Sequence, residues 1–333
     1  MGLSEKQIKI ILLIFSTITV FLIPVFIKNE SYIQIFIVVL FFMYLTTAWN
    51  FVGGFAGVLP LGHAAFVAIG AYTSTIMFMQ YHISPWIGMF AGGIFAAIIS
   101  VIIGLPTLKL RGAYFSLATI AFAGGIKVLI ENIDAIGTIN VGGPRGILIE
   151  YTGDSLVNFM WFSKVPYYYI ILTMVIILLL ITAFMMKSKI GYYLTAGGED
   201  PEAAESLGIN VTKYKLIAMA ISAFFTAMAG SFYAQWIFYI SPQSVGNMNL
   251  SFEIAFIAII GGRGTILGPI LGALLLKLLE EFTRTYIGSA LPGLHLFILG
   301  LVLVLVMIYQ PRGIQESAVK LSKKVMKRIR KKI

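Results

Sequence analysis

Runs of Leu, Ile, Val and Phe close to 20 residues long recur along almost the whole chain. That is the length of α-helix that crosses the hydrocarbon core of a bilayer. Open strands are excluded, because their exposed backbone edges go unsatisfied in hydrocarbon. Only 11% of the residues are charged, against about 25% in a soluble domain. The pattern predicts an all-α, polytopic transmembrane helical bundle of about ten segments, within a range of eight to ten. They fall at 8–27, 32–52, 62–80, 86–108, 114–131, 167–186, 214–237, 252–262, 265–283 and 293–309. The eighth is too short to cross as a straight helix and reads as a half-span that meets the ninth inside the protein. The first follows Lys6 and Lys9 and has no small-residue cleavage site after it, so it reads as a retained span rather than a cleaved signal.

Lys and Arg set the orientation. With the N-terminus in the cytoplasm, eighteen basic residues fall in inside loops and the tail, including Lys109, Arg111, Lys187, Lys189, Lys213, Lys215 and Arg263. Only Lys28, Arg145, Lys164 and Arg284 fall outside. Both termini are then cytoplasmic, and the chain divides into a membrane domain, 1–312, and a basic tail, 313–333. The net charge of +10 is mostly a rim that attracts anionic membrane lipid. Nucleic acid explains it poorly, because the basic tail directly follows a span.

Several chemistries are absent from the sequence. There is no cysteine, and the three histidines have no metal-ligand spacing. No Walker A sequence provides a phosphate cradle, and no catalytic residue set or metal site can be argued. Uphill transport would draw its energy from a partner or an ion gradient.

One polar stretch interrupts the apolar pattern. EDPEAAESLGIN, residues 199–210, lies in the largest predicted cytoplasmic loop, 187–213. Asp200 suits an N-cap, Pro201 the first helical position and Gly208 a left-handed stop. Two turns of helix need a surface to lean on. Ala203, Ala204 and Leu207 offer an apolar face, while Glu199, Asp200, Glu202 and Glu205 stay wet and could pair with a partner's Arg or Lys. A solvated connector is the plain alternative. The largest outside loop is 132–166.

Glu202-Ala203-Ala204, then three residues, then Gly208, resembles the coupling-helix signature of ABC importer permeases. Three further blocks sharpen the resemblance to the LivM-type branched-chain amino acid permease family. They are NFVGGFAGVLPLGHAAFVAIGAY (50–72), LKLRGAYFSLATIAFAGGIKVLIEN with INVGGPRGI (108–132 and 139–147), and IGGRGTILGPILGALLL (260–276). SKIGYYLTAGGEDPEAAESLGINVTKYKLIA (188–218) is the coupling block itself. The resemblance implies a permease subunit in the cell membrane that binds no cofactor of its own. Its implied partners are a second homologous permease subunit, two cytoplasmic ATP-binding subunits that hold ATP and Mg, and an extracytoplasmic substrate-binding protein. Glu202, Ala203, Ala204 and Gly208 would be the ATPase contacts. Members often carry a basic or branched residue where this chain has Gly197-Gly198, which implies a looser tether for the helix. They commonly carry a polar residue near Gly124-Gly125, and this chain has none.

Candidates for the translocation path are Asn50, His63, Tyr114, Ser116, Thr119 and Glu253. Tyr114, Ser116 and Thr119 give one helix a mixed polar and apolar surface. Asn50 and His63 flank the turn between two spans. Glu253 stands where it could meet a substrate ammonium. Each has a structural alternative, and His63 at a helix start would then bond backbone groups. Gly264, Gly268 and Gly272, at four-residue spacing, predict a smooth helix-packing stripe. Lys277, Glu280 and Glu281 read as snorkelling side chains near a helix end, and Lys127 and Glu131 as a pair along a helix. Branched-chain amino acids are the favoured cargo, with urea or short amides as the alternative. An ion-coupled secondary transporter predicts mid-span carboxylates, and none stands out. A membrane enzyme or scaffold lacks a catalytic set.

Overall fold

The computed structural model describes residues 21–27, 29–137, 139–286, 300–301, 304–305, 308–310 and 313–316. Most of the predicted span 8–27, part of 293–309 and the basic tail beyond residue 316 lie outside them. Residues 21–26 are helical. The following helices are α1 (Glu30–Asn50), α2 (His63–Tyr81), α3 (Pro85–Thr107), α4 (Ala113–Glu131) and α5 (Val165–Met186). Then come α6 (Lys189–Glu199), α7 (Pro201–Ser206), α8 (Val211–Ile237), α9 (Pro242–Val245), α10 (Met248–Gly262) and α11 (Gly268–Tyr286). Among the described residues, six helical stretches are long and apolar enough to cross a bilayer: α1 with its continuation to Phe55, α3, α4, α5, α8 and α9–α10 together. The expected count of about ten is not confirmed among the described residues.

α1 is the hub. Every residue from Val39 to Asn50 is buried, which suits a helix that is apolar all round. It packs on α5, α8, α10 and α11, while α2, α3 and α8 form a second tight group. α2 and α8 cross at backbone contact, since a Cβ on Gly70 or Gly230 would collide with the carbonyl of Ala227 or Val67. α4 buries only Phe115, Ser116, Thr119 and Ala123.

Contacts sort the ends of the helices into two faces. The α3–α4 turn meets the 187–213 segment at one end of the bundle. The 132–164 segment meets the start of α3 at the other. This second face holds a small departure from all-α structure. β1 (Ala135–Ile136) pairs with β2 (Ile139–Asn140), and β3 (Ile147–Leu148) pairs antiparallel with β4 (Tyr239–Ile240).

Two further expectations change. The supposed half-span 252–262 begins earlier, at Met248, and α9 precedes it, so that Pro242–Gly262 spans 21 residues. Pro242 starts a turn capped by Ser241, and Asn247 caps the next helix, a double start that hydropathy alone does not show. The glycine stripe also breaks up. Gly264 lies in the α10–α11 turn at φ +74, while Gly268 and Gly272 press α11 against α10, where a Cβ would strike the carbonyls of Gly262 and Ile257.

Candidate functional site at the coupling-loop end

The polar stretch forms its helix as its residues dictate. An Asp200 carboxylate oxygen accepts from the Ala203 N–H at 3.0 Å, and Gly208 at φ +82 lets the Ile209 N–H return to the Ala204 carbonyl. The expected apolar face is split, however. Ala204 is buried, whereas Ala203 is exposed and Leu207 is 82% exposed. Ala203 lies a third of a turn away from Ala204, and Leu207 already belongs to the terminating turn. One alanine therefore seats α7 on its neighbours α6 and α8, and the rest of the helix faces outward. Glu202 also stands 3.8 Å from Arg111 of the α3–α4 turn, with both side chains almost fully exposed. Such a pair adds little stability.

Gly197 and Gly198 do not loosen this region. They lie inside α6, packed at backbone distance. A Cβ on Gly198 would lie 2.5 Å from the Phe55 carbonyl oxygen, and one on Gly57 would lie 2.5 Å from the Gly198 carbonyl. Gly197 lies against Val211. The glycine pair brings α6 into direct backbone contact with the chain that continues from the end of α1.

That end of α1 is irregular. The helix widens into a π-turn over Phe51–Phe55 and then unwinds until His63. Asn50, fully buried, ties it to the α10–α11 turn. Its Nδ2 donates to the Thr265 carbonyl at 2.8 Å, and its Oδ1 accepts from the Gly264 N–H at 2.9 Å. Gly54 makes room, since any Cβ there would occupy the place of the Asn50 oxygen.

Unwound backbone inside a bundle must find side-chain partners. Ser116 donates to the Leu59 carbonyl at 2.6 Å, and Thr119 accepts from the Leu61 N–H at 3.0 Å. Trp49 Nε1 donates to the Pro60 carbonyl at 2.8 Å, and Ser251 accepts from the Ala64 N–H at 2.9 Å. His63 Nε2 lies 2.8 Å from Ser222 Oγ. A small cavity of about 20 Å³ opens between Pro60, His63, Phe66, Thr119, Phe122 and Ser222, enough for about one water. The structure thus brings Asn50, His63, Ser116 and Thr119 together, at the face of the bundle that also carries α7.

Tyr114 and Glu253 are not part of this group. Tyr114 is 71% exposed, on the outer face of α4. Glu253 pairs with Lys277 of α11, whose ammonium also reaches Glu280 at 2.7 Å and lies 3.6 Å from the centre of the Phe42 ring. Lys277 is 4% exposed, so it does not snorkel. It faces α10 and α1, where two carboxylates and an aromatic ring replace water. Glu281, also buried, pairs with Arg284. Lys127 and Glu131 form the predicted pair at 3.6 Å, and Glu131 also accepts from Gln243. Trp49, Ser222, Ser251 and the inward direction of Lys277 escaped the sequence reading. The two serines sit in helices with no local signal, but Trp49 stands next to Asn50 and could have been suspected for that reason.

A family profile described as branched-chain amino acid transport system / permease component matches residues 31–307. The chain is 28% identical over 311 residues to the high-affinity branched-chain amino acid transport system permease protein LivM of Escherichia coli (strain K12), covering 87% of this chain and 71% of that protein. It is 25% identical over 280 residues to LivH of the same organism, covering 81% and 89%. It is also 24% identical over 248 residues to the nucleoside ABC transporter permease protein NupC of Lactococcus lactis subsp. cremoris (strain MG1363), covering 72% and 76%. No solved structure matches. With most of its length matched, this chain belongs to the family of branched-chain amino acid transport system permease components.

Proposed function

We propose that this chain is a membrane-spanning subunit of a binding-protein-dependent importer that carries branched-chain amino acids and is driven by ATP hydrolysed on partner subunits. The observation that carries this reading is the seating of α7. The helix is capped, terminated and held by one buried alanine, while Glu202, Ala203, Glu205 and Leu207 are left open to a partner. In this reading α7 faces the cytoplasm and both termini share that side. A second permease subunit completes the path, and an extracytoplasmic binding protein delivers the cargo to the opposite face.

The mechanism follows from the junction behind α7. A push on α7 reaches α6 directly, and Gly198 transmits it to Gly57 by backbone contact. From there it reaches the π-turn and, through Asn50, the α10–α11 turn. Ser116 and Thr119 carry the same unwound segment to α4. A motor pulling on α7 thereby moves the inner ends of α1, α4 and α10 together. His63 and the small cavity beside it lie where such a movement would open the bundle.

The test uses a cysteine, since the chain has none of its own. Leu207→Cys, cross-linked in native membranes, captures a nucleotide-hydrolysing subunit if the reading holds, and its capture of no such subunit overturns it. Gly208→Val, which strains a left-handed residue, lowers uptake of radiolabelled leucine while the protein stays folded. Competition by unlabelled isoleucine, urea, a short amide and a nucleoside identifies the cargo class.

A further inference from the structure

The segment Ser155–Ser163, SLVNFMWFS, carries no charged side chain. Its middle forms a tight hairpin in which Ser155 and Met160 bridge antiparallel and exchange both backbone hydrogen bonds. The Phe159 N–H donates to the Leu156 carbonyl, and the Asn158 N–H to Ser155 Oγ. The two carbonyls at the tip are taken from outside the hairpin. Trp86 Nε1 donates to Leu156 at 2.7 Å, and the Ser84 hydroxyl donates to Val157. The Trp86 indole stacks on Phe159 with ring centres 4.4 Å apart. The Leu156 and Val157 carbonyls and the Asn158 and Phe159 N–H groups are therefore satisfied within the protein, while the side chains of Leu156 (70%), Val157 (66%) and Phe162 (82%) are exposed.

Height in the bundle says what these side chains meet. Ser84 and Trp86 mark the first turn of α3, and Phe162 lies three residues before α5 begins at Val165. Both helices are long and apolar enough to cross a bilayer. The exposed side of α3 continues downward from the same point as Ile87, Phe90 and Ile94. Leu156 and Val157, bonded to that turn, thus stand at the end of an exposed apolar surface on α3.

We propose that the 155–162 hairpin dips into the lipid leaflet on this side, with Leu156, Val157 and Phe162 in the headgroup–acyl boundary, and so acts as a lipid anchor beside α3. Trp86, Trp161 and Lys164 sit at the level expected of an interfacial belt. A shallow position suits this tip: its two carbonyls are bonded within the protein, and the nearest carboxylate, Asp154, closes the base of the hairpin rather than its tip. The remainder of the 132–164 segment, which carries β1 to β3, stays available to aqueous partners.

The test labels Leu156→Cys with an environment-sensitive fluorophore in full-length protein in phosphatidylethanolamine–phosphatidylglycerol nanodiscs. Leu207→Cys, in the exposed turn that ends α7, is the aqueous reference. The expected result is blue-shifted emission at position 156, quenched by lipid brominated on its acyl chain and indifferent to aqueous iodide, with the opposite pattern at 207. Water-like emission quenched by iodide at 156 overturns the proposal. So does a blue shift that appears only when a substrate-binding protein is added, which would make the hairpin a protein contact instead. Val157→Cys repeats the measurement should the first label disturb the Trp86 contact, and the same two patterns decide it.

Discussion

α1 is held by two buried polar arrangements of opposite kinds. At its unwound end, Asn50 exchanges neutral hydrogen bonds with the Gly264–Thr265 backbone. At mid-helix, the Phe42 ring lies under the ammonium of Lys277, which binds Glu253 and Glu280. The neutral junction uses both ends of one carboxamide and leaves no charge behind. The ionic cluster brings two carboxylates to one ammonium, so each member depends on the others. Neutral pairing fixes geometry at low cost, whereas a buried ion set is costly to form and costlier to leave incomplete. The two also differ in place. The neutral junction sits where α7 and α6 meet the bundle, and the ionic one sits away from them, between α10, α11 and α1.

The largest effect is expected from breaking the ionic set. Lys277→Met leaves Glu253 and Glu280 facing each other beside an aromatic ring. The expected loss is about 3 kcal/mol, at the low end for a broken buried pair because the carboxylates keep partial solvent access. Thermal unfolding in nanodiscs reads it. Adding Glu253→Gln and Glu280→Gln to that variant should recover most of the loss, since the uncompensated charges go with them. If the single variant melts like the parent, Lys277 does not bind the helices together.

Asn50→Leu comes next, at about 2 kcal/mol, because it removes two hydrogen bonds of a fully buried carboxamide to the half-open Gly264–Thr265 backbone. Asn50→Asp keeps the acceptor for Gly264 but places a charge against the Thr265 carbonyl, so it should rescue little. Leucine uptake should fall further than stability alone explains, since the junction lies between α7 and the path. Uptake that merely tracks the melting temperature would reduce Asn50 to a structural clamp.

Ser116→Ala and Thr119→Val each remove one bond to the unwound segment and should cost about 1 kcal/mol. Their effects should not add to that of Asn50→Leu if the segment moves as a unit, and a double-mutant cycle measures this.

Much of this architecture was readable from the residues. The positions of eight described helices follow from apolar runs, and α7 follows from Asp200, Pro201 and Gly208, because cap and stop residues act locally. Asn50, Ser116 and Thr119 were selected as candidates for the translocation path, and each is bonded to backbone that its own helix does not supply. Their partners were not legible, because a hydrogen bond to Leu59 or Gly264 depends on where a distant backbone unwinds. Lys277 was misread for a related reason. Its place near a helix end suggests water, and only the packing of α1 against α11 shows Phe42 there instead. The Gly197-Gly198 pair was read as slack because members of the family that the sequence resembles often carry a basic or branched residue there. Against the backbone of Phe55 and Gly57 it is a close contact that a side chain would prevent.

Charges outside the bundle extend the comparison into water. Asp154 accepts from the Tyr151 hydroxyl and from the Phe162 N–H at 2.7 Å, closing the base of the hairpin. The Tyr151 bond, helped by the Phe162 N–H, holds its carboxyl below the usual range. A lowered value stabilises the folded form at pH above the ordinary carboxylate range, and the contribution is lost as pH falls through the lowered folded value. The protection of the Phe162 amide against hydrogen exchange, taken relative to the intrinsic rate at each pH, should therefore hold from neutral to mildly acidic pH and fall only in stronger acid. Asp154→Asn should remove that acid step, and an acid step that persists in the variant would assign it to another group.

The smallest effect is expected at Arg111 and Glu202, the ion pair farthest from the Lys277 cluster in character. Both side chains are almost wholly in water at 3.8 Å. Their attraction is screened and offset by the entropy of holding two long side chains. Glu202→Gln should leave the melting temperature of the isolated protein unchanged, in low or high salt. Assembly with the ATP-hydrolysing subunits is a separate readout, because docking would remove Glu202 from water and make its charge matter. Weaker co-purification of those subunits with unchanged thermal stability would place Glu202 in the docking contact. A lower melting temperature in the isolated protein would instead mean that the α3–α4 turn depends on this pair, and the contrast between buried and exposed charge would fail at its easiest point.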